Sequence, residues 1–194
     1  LVYAGPGVVS APTDPTGERL GFFYDLWTLL DGAAGSNVDP SGVQGLCPAG
    51  WHVPSDVEWQ RLELHVGVEP DEITDGTGSR GVVAQSGRAL KAEGGWTTAD
   101  GLDAFGFGAL VTGFVLLDGS PPYIGEGALT AFATTTTLYD EDAERWQASY
   151  RILYDDDPGI WFGTFDIFES DDVTPDRNFK VSARCVKDPE AEVP

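Results

Sequence analysis

The sequence predicts an α+β domain in which one or two helices near the N-terminus precede a twisted antiparallel sheet. Three observations carry this prediction. Residues 55–58 encode a helix start, several short strand patterns follow residue 131, and Cys47 and Cys185 lie near the two ends of the patterned region. With 194 residues, 41% of them hydrophobic, the chain is long enough for one domain with a core of its own.

The first 18 residues predict an extended N-terminal arm or linker. Prolines and glycines interrupt them, and only Val8 and Val9 favour a short strand. Because an apolar strand can extend the sheet of a neighbour, we expect this arm to take part in assembly. The sequence starts at Leu1 and contains no methionine. We therefore also expect a processed chain from which a signal peptide has been removed.

Residues 21–30 are apolar and aromatic, and their pattern fits either a buried strand or a short helix. The clearest helix begins at Ser55. The serine hydroxyl and the Glu58 carboxylate are spaced to accept from each other's backbone amides, which is a capping box. The apolar face of this helix consists of Trp59, Leu62 and Val66. Gly67 is expected to end it.

Most of the sheet is predicted in the second half of the chain. Residues 86–91 fit a short helix or a strand, and the large apolar residues between Phe105 and Leu117 are expected in the core. Alternation and β-branched or aromatic content predict strands at residues 131–138, 146–154, 160–168 and 179–186. The last of these is expected to complete the sheet. The domain would then span residues 19–188, followed by an acidic tail at 189–194.

The charge balance excludes some classes of partner. Asp and Glu number 32 against 11 Lys and Arg, which leaves a net charge of −21. Because phosphate binding requires basic patches, we expect no nucleic acid partner. The sequence also has no run of about 18 apolar residues, so we expect no membrane-spanning segment. The acidity itself fits a solvated surface, adaptation to a salty habitat, or a set of calcium sites.

The two cysteines could be free thiols, a metal pair or a disulfide. A metal pair favours close spacing with histidines nearby, and His52 and His65 do not complete such a cluster. A disulfide between Cys47 and Cys185 would close a loop of about 140 residues and remove on the order of 5 kcal/mol of chain entropy from the unfolded state. We favour the disulfide, which implies an oxidising compartment.

The histidines and tryptophans do not suggest catalysis. Nucleophilic catalysis needs a nucleophile, a base and an orienting group. His52 is expected to pack or to bond to the backbone, and His65 is expected to be exposed on the helix. Trp51 and Trp59 flank a helix start and are expected in the core. We therefore expect that the protein is not an enzyme.

Calcium is the one cofactor that the residues suggest. Aspartates concentrate at Asp140 and Asp142, and again at Asp155 and Asp157, where carboxylates offer hard oxygen ligands. A third cluster consists of Asp171, Asp172 and Asp176. None of the three follows the EF-hand loop, and each also fits a solvated turn.

Four motifs occur in a recognisable order along residues 20–188. They are GLCPAGWHVPSDVEW at 45–59, GRALK at 87–91 followed by Gly95 and Trp96, FGFGAL at 105–110 followed by Gly113, and VSARCVKD at 181–188. Their order resembles the Fibrobacter succinogenes major paralogous domain family, which occurs in secreted and surface proteins of bacteria.

The helix start at residues 53–59 is also similar to that of formylglycine-generating and related C-type-lectin-like domains. The resemblance therefore implies a C-type-lectin-like fold. The chain departs from the family pattern at Phe132, which ATTT follows in place of a WSST-like segment. It also carries an extra residue, Ala183, between Ser182 and Arg184. Both departures could alter a recognition surface.

The disulfide and the resemblance together imply a non-catalytic extracellular or cell-surface protein. We expect an adhesive or self-assembling structural subunit of a surface appendage or filament, with further copies of itself as partners. The alternative is a lectin-like carbohydrate-binding module, dependent on calcium, in which exposed tryptophans stack on sugar rings. A protein ligand is also compatible with the sequence.

Overall fold

The computed structural model describes residues 8–11, 20–74, 76–98, 101–117, 123–168 and 175–190. In these ranges the helices are α1 (Leu26–Leu29), α2 (Asp56–His65), α3 (Pro70–Thr74) and α4 (Ser86–Leu90). The strands are β1 (Val8–Ser10), β2 (Phe22–Tyr24), β3 (Trp51–His52), β4 (Gly78–Arg80), β5 (Phe114–Leu116), β6 (Tyr123–Ile124), β7 (Leu129–Asp140), β8 (Arg145–Tyr154), β9 (Ile160–Asp166), β10 (Phe179–Lys180) and β11 (Val186–Lys187).

The predicted combination of few helices and antiparallel sheets is confirmed. Four helices are described where one or two were expected. The longest of the described helices, α2, has 10 residues, so none of them is long and apolar enough to cross a bilayer.

The largest sheet has the strand order β4-β9-β8-β7, and every neighbouring pair is antiparallel. It contains the strands predicted around residues 131–138, 146–154 and 160–168. β7 and β8 form a long hairpin whose register shifts between Ala133 and Thr137. The inner half of this hairpin is buried, whereas its outer end is exposed to solvent.

The prediction that the last strand completes the main sheet is wrong. The segment at 179–186 is divided between β10, which pairs with β5, and β11, which pairs with β3. A single bridge between Phe132 and Ser182 connects the segment to β7. The segment is divided because the chain turns away from β5 after β10, which brings Cys185 to Cys47 and lets β11 pair with β3.

The predicted disulfide between Cys47 and Cys185 is confirmed. The Cα atoms of the two cysteines are 5.8 Å apart, and 138 positions of sequence separate them. This cross-link joins the β3 region, early in the domain, to the β11 region at its end. The two-stranded pairing of β3 with β11 reinforces the same junction through backbone hydrogen bonds.

The N-terminal segment has a partner within the chain. The strand predicted at Val8 and Val9 is β1, and it pairs antiparallel with β2. Val9 also packs against a small cluster that contains Phe23 and Val115. One edge of β1 is thereby used inside the domain, and pairing with a neighbouring copy stays a prediction. The rest of the predicted arm, and residues 191–194 of the predicted tail, lie outside the described residues.

The ambiguous residues 21–30 contain both a strand and a helix, β2 followed by α1. Asp25 separates them because its carboxylate accepts a hydrogen bond from the Thr28 amide at 2.9 Å and caps α1. Helix α2 begins as predicted. Its Ser55 hydroxyl accepts from the Glu58 amide, and the Glu58 carboxylate accepts from the Ser55 amide at 3.0 Å.

The core is formed by two large clusters, one of which contains Trp59 and Val66 from the predicted apolar face of α2. The expectation that all large apolar residues from 105 to 117 enter the core is wrong for three of them. Phe105, Leu110 and Leu117 are 43–49% exposed. Much of this segment forms turns and irregular structure, where no fixed alternation directs each side chain inward.

Helix α2 also buries charged side chains that the sequence did not suggest. We call Asp56, Glu63, Arg80 and Arg151 the buried ion cluster. Glu63 contacts both arginines, with 3.2 Å between its Oε2 and Arg80 Nη1. Asp56 Oδ1 lies 2.8 Å from Arg151 Nη1. Both guanidinium groups lie over the ring of Phe162, at 4.4 and 4.6 Å from its centroid.

Candidate functional site

A surface groove of about 930 Å³ lies between α2, the turn at residues 105–107 and the C-terminal segment at 184–187. We call it the α2 groove. Helix α2 supplies Arg61, Leu64 and His65 to its lining. The groove faces away from the buried ion cluster, because positions 61, 64 and 65 lie on a different side of the helix from Asp56 and Glu63.

Apolar and aromatic side chains of the groove are open to solvent. Trp51 is 39% exposed, Leu64 is 43% exposed and Phe105 is 49% exposed. The His65 ring packs edge-on against Phe105, with 5.2 Å between their centroids. His65 is exposed as predicted, and it lies at this groove. Exposed aromatic surface of this kind favours stacking with a ligand.

The expectation that Trp51 packs in the core is wrong, whereas the same expectation for Trp59 is confirmed. Trp51 and His52 form β3, and neighbouring residues of a strand face opposite sides. Since His52 is the residue that points inward, Trp51 points into the groove.

The rigid floor of the groove is an aromatic cluster. Trp59 lies 5.9 Å from Phe107 and 5.7 Å from Phe132 between ring centroids. Cys185 contributes to the wall, so the disulfide lies directly behind the groove. A ligand would therefore meet a surface that is already formed, which lowers the entropic cost of binding.

Three of the chain's 11 basic residues line the α2 groove, although the whole chain carries a net charge of −21. Arg61 forms an ion pair with Asp39, and Lys187 forms one with Glu190 at 3.1 Å. Arg184 lies over the Phe107 ring at 4.3 Å and donates to the Phe107 carbonyl. Burial lowers the pKa of the Arg184 guanidinium, and neighbouring Asp103 partly opposes this shift.

His52 connects two walls of the groove. Its Nδ1 lies 2.6 Å from Asp188 Oδ1, and its Nε2 lies 2.6 Å from Glu58 Oε1. Both contacts are to side-chain carboxylates, whereas packing or backbone contacts were expected. Burial lowers the pKa of His52, but its hydrogen bonds to the Asp188 and Glu58 carboxylates outweigh this effect, so the net pKa is raised. The protonated ring, with both nitrogens donating, fits this arrangement.

The four aspartates predicted as calcium ligands are not brought together. Asp140 and Asp142 lie at the β7–β8 turn, and Asp155 and Asp157 lie at the β8–β9 turn, at the opposite end of β8. The Asp140 carboxylate accepts from the Asp142 amide at 3.0 Å and the Ala143 amide at 2.9 Å. It therefore stabilises its own turn.

The β8–β9 turn already binds a positively charged side chain, that of Lys91. The buried Lys91 ammonium donates to the carbonyls of Tyr154 and Asp157, at 2.5 and 2.9 Å. Burial lowers the pKa of Lys91, while Asp155 and Asp157 act in the opposite direction. An ammonium in this position occupies the carbonyl oxygens that a bound calcium ion would use.

The Asp155 carboxylate accepts hydrogen bonds from the segment at residues 97–98. It accepts from the amides of Thr97 and Thr98 at 2.7 and 2.8 Å, and from the Thr97 hydroxyl at 2.7 Å. Burial raises the pKa of Asp155, but these hydrogen bonds outweigh it, so the net pKa is lowered.

No group of three or more potential metal ligands occurs within the described ranges. Of the third predicted cluster, Asp171 and Asp172 lie outside those ranges. Asp176 is described, and its carboxylate accepts from the Asn178 amide at 2.7 Å.

The groove residues that sequence reasoning missed come from three separate segments. Phe105 was expected in the core, and no role was predicted for Arg61 or Lys187. The one available signal was on α2, where Glu58, Arg61, Leu62 and His65 recur at helical spacing on a second face. The contributions of the 105–107 turn and the C-terminal segment could not be connected to it without the fold.

The fold and the groove define a small α+β domain with a surface groove backed by a disulfide. The chain belongs to the family described as the Fibrobacter succinogenes major domain, whose model matches residues 4–187. The resemblance inferred from the four motifs is thus confirmed at the level of the family. Comparison with curated proteins found no match, and comparison with solved structures also found none.

Proposed function

We propose that this chain is a non-catalytic protein of the cell exterior, a secreted adhesive or self-assembling subunit of a bacterial surface appendage or filament. Its α2 groove is the binding surface. The observation that carries this proposal is the combination of exposed aromatic rings and basic side chains in one preformed groove on a strongly acidic chain. Such a surface recognises a ligand by stacking and by charge.

The disulfide supports the extracellular location. Disulfides persist in oxidising environments such as the outside of the cell and are rare in the reducing cytosol. The bond between Cys47 and Cys185 holds the wall of the groove, so binding would depend on that environment. Export by a signal peptide that is later removed is part of this proposal.

The histidines support binding over catalysis. His52 is 2% exposed, and both of its nitrogens are closed by carboxylates, so it does not reach the groove as a base. His65 does reach the groove, where it extends the aromatic surface beside Phe105. In this proposal the His65 ring contacts the ligand, and neither histidine transfers a proton.

We further propose that the scaffold is C-type-lectin-like. Two features support this assignment: a capped helix followed by an antiparallel sheet, and chain ends joined by the pairing of β3 with β11. In this proposal the groove uses the scaffold's terminal junction as its wall.

Self-association and adhesion are tested by changing the groove alone. The variant Trp51→Ser with Arg61→Gln removes one stacking ring and one charge from exposed positions, and Val83→Ser, at an exposed turn, is the matched control. We expect wild type and control to self-associate in sedimentation velocity or to bind bacterial surfaces, and the groove variant to lose that binding. Equal behaviour of all three proteins in both assays would contradict the proposal.

A carbohydrate ligand is the second candidate, because the exposed Trp51 ring is suited to stacking on a sugar. A glycan array probed with calcium and with a chelator tests it. Binding that Trp51→Ser abolishes would support a lectin-like module. Loss of binding in chelator would add calcium, with Asp140 and Asp142 of the β7–β8 turn as the candidate ligands to test. Silence with and without calcium would reject this candidate.

A further inference from the structure

The β7–β8 hairpin ends in a second surface of unusual composition. We call residues 138–146 the hairpin tip. Leu138, Tyr139 and Trp146 are 40–50% exposed there, and the rings of Tyr139 and Trp146 meet edge-on across the strands with 5.4 Å between centroids. Exposed aromatic pairs at a strand end contribute little to a core, so the core does not account for their presence.

The hairpin tip is acidic where the α2 groove is basic. The turn carries Asp140, Glu141, Asp142 and Glu144. The one basic residue beside them, Arg145, is paired with Asp166 at 2.6 Å. The groove lining carries three basic side chains, Arg61, Arg184 and Lys187, against one carboxylate, Glu58, which is bonded to His52. The two surfaces thus match in both respects, aromatic against aromatic and negative against positive.

We propose that the hairpin tip of one copy docks in the α2 groove of the next copy. This inference rests on the proposed function and names the partner of the same groove. The aromatic pair of the tip enters the groove beside Trp51 and Phe105, and the acidic turn faces the basic side chains. The ion pairs that Arg61 and Lys187 make within the chain are exposed and weak, so they exchange readily for those of the partner.

The tip cannot reach the groove of its own chain. Phe132 of β7 packs under the groove against Trp59. Phe132 pairs with Arg151 and Tyr139 pairs with Trp146, so five residues of β8 separate the two positions, which corresponds to about 17 Å. Since β7 is held to β8 on both sides of its register shift, the tip stays at that distance. The docking partner must therefore be another molecule.

The contact joins two different surfaces, so it is head-to-tail. Each copy then offers a free groove at one end and a free tip at the other, and repetition produces an open filament or a closed ring. Complete burial of a Tyr and a Trp side chain removes about 300–500 Å² from water, and because the two rings are already roughly half buried, docking adds about half of that area. This is far below the area of a stable binary complex of about 1,200–2,000 Å². We therefore expect a weak single contact that depends on concentration and salt.

Two variants with one surface disabled in each provide the test. The groove variant is Trp51→Ser with Arg61→Gln, and the tip variant is Tyr139→Ser with Trp146→Ser. A second tip variant, Glu141→Gln with Asp142→Asn, changes only exposed turn residues and guards against loss of folding in the first. Val83→Ser is the matched control, and circular dichroism checks the fold of each protein.

Sedimentation velocity over a concentration series should show growing assemblies for wild type and control. For each disabled variant we expect apparent association weakened by about tenfold or more. An equimolar mixture of the groove variant and the first tip variant keeps one intact groove and one intact tip. It should therefore form a 1:1 dimer of two 20.7 kDa chains that cannot grow further.

The possible results separate this inference from the proposed function. If the groove variant loses association while both tip variants keep it, the groove binds something else and only the docking inference fails. A mixture that stays monomeric also overturns the docking inference. If wild type is monomeric at every concentration, the docking inference is wrong. If, in addition, the groove variant binds bacterial surfaces as wild type does, the proposed function fails as well.

Discussion

The two sides of α2 use charge in opposite ways. On the buried side, Glu63 and Asp56 meet the guanidinium groups of Arg80 and Arg151 away from water. On the groove side, Arg61 is exposed and makes a single surface ion pair with Asp39. One helix of 10 residues thus contributes to a network of buried ion pairs on one side and to a solvent-exposed ion pair on the other.

The difference shows that burial, and not residue type, decides what a charge does. In a low-dielectric interior an unpaired charge costs several kcal/mol, so removing one member of the buried ion cluster should strongly destabilise the domain. At the surface water screens each pair, and the median exposed ion pair is worth about 0–1 kcal/mol. The exposed groove charges can therefore change partners at low cost, as the proposed binding role requires.

Removing the disulfide should have the largest effect on stability, because the unfolded chain gains the conformational entropy that the cross-link removes. For Cys47→Ala with Cys185→Ala we expect a loss of about 5 kcal/mol in the free energy of unfolding, from a loop of 138 positions. Urea titration followed by tryptophan fluorescence measures it, with wild type under non-reducing conditions as the reference. A loss of less than about 1 kcal/mol in the free energy of unfolding would show that the disulfide contributes little to the stability of the domain.

Breaking the buried ion cluster should be nearly as costly. Glu63→Gln removes the carboxylate that contacts both buried arginines, and we expect a loss of about 3–5 kcal/mol in the free energy of unfolding. Glu69→Gln, the same change at an exposed position, should leave stability nearly unchanged. If the two variants lose equal amounts in urea titration, the contrast between the two sides of α2 is wrong.

The pH dependence of stability should show an intermediate effect through His52, which joins the helix start to the C-terminal segment. The pKa of His52 is raised in the folded protein above the value of about 6.5 in an unfolded chain. Its stabilising contribution is therefore complete below pH about 6.5 and declines as the pH rises through the folded-state pKa.

The free energy of unfolding of wild type minus that of His52→Gln should accordingly shrink with increasing pH. Urea titrations between about pH 5 and pH 9 measure this difference. His65→Gln, the same change at the exposed histidine, is measured in parallel as the control for loss of an imidazole. A difference for His52→Gln that is independent of pH would contradict the protonated bridge between Glu58 and Asp188.

The smallest effect is expected on the groove side. Arg61→Gln removes an exposed ion pair with Asp39 and should change the free energy of unfolding by less than about 1 kcal/mol. The matched change on the buried side, Arg151→Gln, should cost several times more. Equal losses of unfolding free energy for the two arginines in parallel urea titrations would show that Arg61 stabilises the fold as Arg151 does, which would contradict its proposed role in binding.

Several features were predictable because they depend on residues close together in the chain. The capping box at Ser55 and Glu58 follows from a spacing of three positions, and the strands of the β7–β8 hairpin follow from local composition. The pairing of Cys47 with Cys185 needed only the fact that the chain has two cysteines. The motifs around them also sufficed to indicate the family.

Other features were decided by the tertiary structure. Trp51 faces the groove because its strand neighbour His52 is the residue drawn inward between two carboxylates. Glu63 looks like a solvated helix residue until Arg151, 88 positions away, is placed beside it.

The sequence by itself thus determined the helix start, the main strands, the disulfide and the family. Only the tertiary structure decided which charges are buried, which rings stay exposed and where the groove lies. The physical reason is one of range: capping and strand propensity act over a few residues, whereas burial depends on which distant segments exclude water together.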